Sequence, residues 1–436
     1  MHSKFVGAKA LVAYVFLLQM TIGATVSNAA DTPDVAFPGA QGAAAQTPGG
    51  RGGKIIRVTT LDPTGPGSLL AAIEAQGPRI VVFEVGGVID FAMREIKIRN
   101  PFLTLAGQTA PSPGITLIRT GIDVNTHDVI LQHIRVRTGA ADAKKRAGWE
   151  PDSFSTQAGA YNVIVDHCSM TWAIDENLSA SGPRFTGKTP DEWRAGTSHR
   201  VTFSNNIIAE GLAYSTHAKG EHSKGSLIHD NATDILIVGN LYAHNHERSP
   251  LFKGGVHGMV INNLIYNPGP RAVHYNLIAE EWGTQPYQNG QMALIGNVMR
   301  SGPSTPNDIA LFQLGGSGDL ELYEHDNIAV DRLGKPVDKF GRYTTSSAKI
   351  LPMKKPALPL NVKLLPAADV QDAVIRTAGA RPWDRDPVDA RIVADTIEGR
   401  GEIIDSEDEV GGYPKYAPTQ QPFKEGEWDL KYMIKK

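Results

Sequence analysis

The chain has 436 residues, with 43 Lys and Arg against 46 Asp and Glu, a formal net charge of −3 and a single cysteine, Cys168. That balance carries no nucleic-acid footprint, and a lone cysteine excludes an internal disulfide and CxxC chemistry. With 45 glycines, 28 prolines and 7% aromatic residues, the composition predicts many turns between short strands.

Residues 1–29 read as a signal peptide. Lys4 and Lys9 lie ahead of or at the start of an apolar run from Ala10 to about Ala24, and small residues lead to Ala29. The run falls short of the ~20 residues a spanning helix needs, so the expectation is a secreted chain with no membrane segment in its mature form. Next come Phe37-Pro38-Gly39-Ala40, the glycine-rich Gly49-Gly50-Arg51-Gly52-Gly53-Lys54 and a strand at 55–59. Ser68 stands where it would N-cap a short helix. Residues 78–87 read as a buried strand.

Short apolar runs then recur at 102–106, 129–134, 163–167, 201–206, 235–240, 259–263 and 293–297, each bounded by Gly, Asn or Asp. Their polar ends, His133, His167, Asn206, Asn240, Asn263 and Asn297, are separated by 34, 39, 34, 23 and 34 residues. A minimum period near 23 with variable insertions predicts an all-β, right-handed parallel β-helix: a three-sided coil whose loops carry the excess length. No fixed leucine pattern points to a leucine-rich horseshoe, and regular hairpin signals for a sandwich are missing. Asn or His at a sharp corner can hydrogen-bond the turns above and below.

The expected domains are the coil at 30–345, beginning with an N-terminal cap, and a C-terminal extension at 346–436 that wraps or caps it. Within the extension, 354–359 reads as an extended strap, and 367–378 and 388–397 carry helical periodicity, the second behind an Asp386-Pro387 N-cap.

Two constellations could carry chemistry. Asp152, Asp175 and Glu176 flank the run at 163–167, so a coil can bring them to neighbouring turns, and converging carboxylates are the oxygen set that Ca²⁺ prefers. Asp175 and Glu176 can reach one ion if the chain bends there. Lys224, Arg248 and Lys253 follow on later turns, so acidic and basic edges could face one groove. Each charge taken singly reads as a solvated surface group, and Arg248 could simply pair with Glu247. The nearby histidines His217, His222, His244 and His246 lack the helical i, i+4 pairing of a metalloprotease site.

The Phe37-Pro38-Gly39-Ala40 and Gly49-to-Lys54 motifs resemble, together and in order with three later blocks, the secreted pectate lyases of the first polysaccharide lyase family. Those blocks are Pro66-Gly67-Ser68-Leu69-Leu70, Val165-Asp166-His167-Cys168-Ser169 and Arg248-Ser249-Pro250-Leu251-Phe252-Lys253-Gly254-Gly255. Leu105-Ala106-Gly107-Gln108 adds to the likeness, which spans roughly 36–297.

The resemblance implies a calcium-dependent lyase that cleaves pectate, an acidic polysaccharide, by β-elimination; a monomer is the separate expectation for its assembly. Arg248 then matches the catalytic arginine that takes the C5 proton, Lys253 the second cation of that motif, and Lys224 the lysine that holds a substrate carboxylate. Asp152 and Asp175 match two calcium ligands. The family glutamate a few residues before Asp175 is missing, since Trp172-Ala173-Ile174 stands there, and Glu176 is the substitute. Other readings are a lyase for another uronate glycan, a non-catalytic β-helix glycan-binding protein, and a glycosidase with paired carboxylates, which the Arg248 and Lys253 pair disfavours.

Overall fold

The computed structural model describes residues 1–2, 34–222 and 224–436. The chain divides into Met1–Asp34 and Val35–Lys436. The expected signal peptide at 1–29 lies almost wholly outside the described residues. Among the described residues, no helix is long and apolar enough to cross a membrane.

Val35–Lys436 is a right-handed parallel β-helix with three long sheets. The first holds nine short strands, including Ile122–Val124, Phe154–Thr156, Ser179–Ala180, Leu227–Ile228, Leu251–Lys253 and Val273–Leu277. The second holds 11 strands from Lys54–Val58 to Ile350–Pro352, and the third holds ten. The last rung of the second sheet thus falls past residue 345. Pairing within the three sheets is parallel except at Thr419–Gln420, which adds antiparallel to Val85–Asp90 at the edge of the third sheet.

Residues alternate across each strand, and the packing on both faces explains why the runs look continuously apolar. In Tyr161–Asp166, Val163 and Val165 point into the central core while Ile164 packs beneath the N-terminal cap with Phe37 and Ala44. Further along the second sheet, Leu236, Val238 and Ile261 meet Val362 and Leu364, just past the strap. The outer face of the third sheet, with Ile207, Leu241 and Leu264, is covered by helices Ala367–Thr377 and Pro387–Glu398 through Val370, Val374 and Ile392. Each such aliphatic side chain contributes about 1.5–3 kcal/mol on burial. The first sheet differs: its outward positions include Asp123, Ser155, Ser179 and Lys253 beside Leu227 and Leu251, so its face mixes polar and apolar groups.

The corner between the second and third sheets is held by a file of asparagines. Asn206 Nδ2 donates to Asn240 Oδ1 at 2.9 Å, Asn240 to Asn263 at 2.9 Å, Asn263 to Asn297 at 3.0 Å and Asn297 to Asn327 at 2.9 Å. The register corrects one of the counted spacings. Asp166 pairs with Ser204, so Asn205 stands opposite His167 and Asn206 opposite Cys168; the interval of 39 mixed two neighbouring columns. The His133 and His167 rings stack at 5.1 Å on the outside of that corner.

Capping follows the sequence. Ser68 Oγ accepts from Ala71 N at the start of Leu69–Glu74, and Asp386 accepts from Asp389 N at the start of Pro387–Glu398. In the glycine-rich motif, a Cβ on Gly50 would come within 1.8 Å of the Arg79 carbonyl oxygen, so the close approach of the two segments requires glycine. The extension is anchored by a fully buried charge cluster in which Arg137 Nη2 donates to Asp386 Oδ2 at 2.7 Å and to Asp389 Oδ1 at 3.1 Å.

Candidate active site

The turns that lead from the third sheet into the first carry the charged residues, stacked coil upon coil. Asp152 precedes Phe154–Thr156, Asp175 and Glu176 precede Ser179–Ala180, Lys224 precedes Leu227–Ile228, and Glu247 and Arg248 precede Leu251–Lys253. Backbone bonds fix this order: Ser153 N donates to Glu176 O at 3.0 Å, Lys224 N to Asp175 O at 2.9 Å and Gly225 N to Glu247 O at 2.9 Å. Two buried asparagines join the acidic turn to the basic one, with Asn177 Nδ2 donating to Asn245 Oδ1 at 3.0 Å. Arg248 itself sits at φ +63, a left-handed conformation that costs a non-glycine residue about 1–3 kcal/mol.

Asp152, Asp175 and Glu176 each present an oxygen within 4.8 Å of the others. The bend that lets neighbouring residues converge is held by Glu176 N, which donates to Asp152 Oδ1 at 2.8 Å. Burial, reinforced by the charges of Glu176 and Asp175, raises the Asp152 carboxyl well above its ordinary value. Burial likewise pushes Glu176 up to about 7, against the pull of Arg248. Asp175 goes the other way, because the hydrogen bond and charge of His222, at 3.0 Å, outweigh its burial. Sequence reading missed Asp123, which lines one cavity with Asp152 and Asp175 and is raised chiefly by burial. The signal was there: in Ile122-Asp123-Val124 both apolar neighbours point inward, so the acid must point out.

On the basic side, Arg248 Nη1 pairs with Glu176, not with Glu247. Burial would lower the guanidinium, but Glu176, Glu247 and Asp175 outweigh it and raise Arg248 above its already high ordinary value. Lys224 Nζ lies 2.7 Å from Glu247 Oε1 and 3.0 Å from His246 Nδ1. Its ammonium is lowered, mainly by burial. Arg271, also missed, shares Glu247 through Nε at 2.6 Å. Lys253 stands apart at the far end of its strand, paired with Glu281 and 3.6 Å from Asp230 Oδ2.

His217 and His222 form a second group with Asp175 inside the same 4.8 Å limit. His217 Nδ1 accepts from Lys219 N at 3.1 Å, which leaves the proton of the neutral ring on Nε2, facing Asp175. At 3.8 Å that nitrogen is past hydrogen-bond reach of Asp175, and His222 Nε2, at 3.0 Å, is the nearer imidazole.

No family model matches the chain. A probable pectate lyase C of Aspergillus terreus is 33% identical over 390 residues, covering 87% of this chain and 81% of that protein. The chain belongs to the pectate lyase family. A probable pectate lyase C of Neosartorya fischeri is 32% identical over 389 residues with the same coverage. Among solved structures, jun a 1, the major allergen from cedar pollen, superposes with a TM-score of 0.53 at 15% identity, covering 78% of this chain and 92% of that one. A pectate lyase bound to a hexasaccharide gives 0.51 at 12% identity, covering 81% and 100%. At those identities the likeness concerns the fold alone. Membership in the pectate lyase family makes the protein an enzyme of the polysaccharide lyase class.

Proposed function

We propose that the protein is a secreted, calcium-dependent lyase that cleaves polygalacturonate by β-elimination. The observation that carries this reading is the convergence of Asp152, Asp175 and Glu176 beside Lys224 and Arg248. The donor set suits the ion: three hard carboxylate oxygens, two of whose groups are raised by burial and mutual repulsion that a divalent cation would relieve. Bound there, Ca²⁺ would neutralise the substrate carboxylate next to C5 and so acidify the C5 proton.

The chain's own residues do the rest. Lys224 orients and neutralises a substrate carboxylate, Lys253 supplies positive charge at the other end of the strand, and Arg248 accepts the C5 proton. A guanidine base is demanding, because arginine is ordinarily always charged. Glu176 is common to both halves of the site, so any engagement of its carboxylate elsewhere weakens the pairing that holds Arg248 protonated. A second reading makes Lys224 the base, since its ammonium is lowered while that of Arg248 is raised. Export rests on the signal-like residues 1–29, and a monomeric state is part of the same proposal.

The test is the ultraviolet absorbance of unsaturated products on polygalacturonate, with and without a chelator. Absorbance that needs added Ca²⁺ is expected; chelator-insensitive turnover, or none on any uronate polymer, overturns the reading. Arg248→Ala is expected to abolish turnover with the fold intact. Comparison of Arg248→Lys with Lys224→Arg assigns the base: the residue whose conservative replacement shifts the pH profile of turnover, and not KM alone, is the one that moves the proton.

A further inference from the structure

A second cavity lies apart from the cleft of charged residues. A pocket of about 600 Å³ opens at the corner between the second and third sheets, between the stacked His133 and His167 and the last segment of the extension. Its size is that of a ligand site. Nothing in the reaction uses it.

Its chemistry has three parts. Trp383 is 59% exposed, held edge-on against His133 at 4.9 Å and beneath the Arg381 guanidinium at 5.3 Å, so an aromatic surface is fixed in place and faces the cavity. Phe423 and Trp428, 5.7 Å apart, line another part of it. Gln108 lines this cavity, and its buried Oε1 has no hydrogen-bond partner, an unmet bond that costs about 1–3 kcal/mol.

The charged groups around the pocket have partners within the chain. Asp166 binds His167 at 2.8 Å, Arg381 binds Asp384 at 3.0 Å, and Lys424 and Lys435 lie 3.4 and 3.7 Å from Glu427. Burial pushes the His133 imidazole down to about 3, so it is neutral at ordinary pH. An anionic ligand would compete with Asp166, Asp384 and Glu427 for these cations, whereas a neutral polyhydroxylated ring needs none of them: it can stack its C–H face on indole and donate a hydroxyl to an amide oxygen.

We infer that this pocket is an accessory binding site for a neutral sugar unit, built by Trp383 and Gln108 at a corner of the coil away from the charged turns. It retains the enzyme on neutral glycan while the cleft handles the acidic polymer. The C-terminal extension supplies Trp383, Phe423 and Trp428, which gives that segment a role in binding.

The site is tested by affinity electrophoresis of the full chain and its Trp383→Ala and Gln108→Ala variants in gels containing galactan, arabinan or xyloglucan, with polygalacturonate as the acidic comparison. Retardation of the wild type by at least one neutral glycan is expected, weakened about tenfold or more by Trp383→Ala, the loss of roughly one aromatic contact. Turnover of soluble substrate by that variant is expected to stay unchanged. The inference is overturned if no neutral glycan retards the wild type, if Trp383→Ala migrates like the wild type, or if polygalacturonate alone retards it. Because retardation requires no turnover, these outcomes stand apart from any failure of the catalytic reading.

Discussion

Asp386→Asn is the sharpest test of how the extension is fastened. Asp386 is fully buried and accepts from Arg137 Nη2 at 2.9 and 2.7 Å, from Tyr416 Oη at 2.5 Å and from Asp389 N at 2.9 Å. The amide keeps the shape but removes one acceptor and the charge, leaving Arg135 and Arg137 to share Asp389. Loss of one partner of a buried pair costs about 3–5 kcal/mol, and the remaining acid places the expected loss near about 3 kcal/mol. Burial alone would push the Asp386 carboxyl up, but Arg137 and Arg135 outweigh it and hold it below the usual range. Such a depressed carboxyl contributes stability that is complete above the unfolded-state value of about 3.9 and is lost as pH falls through the folded one. Urea unfolding should therefore show a wild-type advantage that is level from about pH 5 to about pH 8 and closes below about pH 4. A difference under about 1 kcal/mol at neutral pH, or one that grows toward acid, refutes the reasoning.

Two further outcomes follow from the site and the corner. Glu176→Gln should weaken divalent binding about tenfold or more, read by terbium luminescence and calcium competition, because one of three anionic donors is gone. Asn263→Ala should lower the thermal midpoint and cost about 3 kcal/mol or more: it strands the amide and side chain of Asn240, each bonded at 2.9 Å, and the Ile237 carbonyl, bonded at 3.0 Å.

The coil was legible in the sequence because its geometry is local. Every third corner needs a polar side chain that can bond its neighbours, and Asn240, Asn263 and Asn297 mark it at intervals of 23 and 34 residues, each at the end of an apolar run. The acids were legible for the same reason, since Asp152, Asp175 and Glu176 lie within a few residues of strand starts. What could not be read depends on distant segments. Ile134-Arg135-Val136-Arg137 alternates apolar and basic residues like a half-exposed strand, yet both arginines are buried under a helix about 250 residues later. Lys253 was expected beside Arg248, but a short helix at Ala279–Trp282 brings Glu281 to it instead. Nothing in the spacing of either residue signals those partners.

The stacking of charged turns has a vectorial consequence. From the Asp152 rung to the Arg271 rung is four steps of the first sheet, about 19 Å at the usual strand spacing, and along that distance the sign of the side chains changes from acidic to basic. A polyanion laid along the axis therefore meets an electrostatic slope, not a single point of attraction. Such a polymer is held by its place on that slope, at the basic rungs, and settles on the acidic ones only where a cation bridges the two.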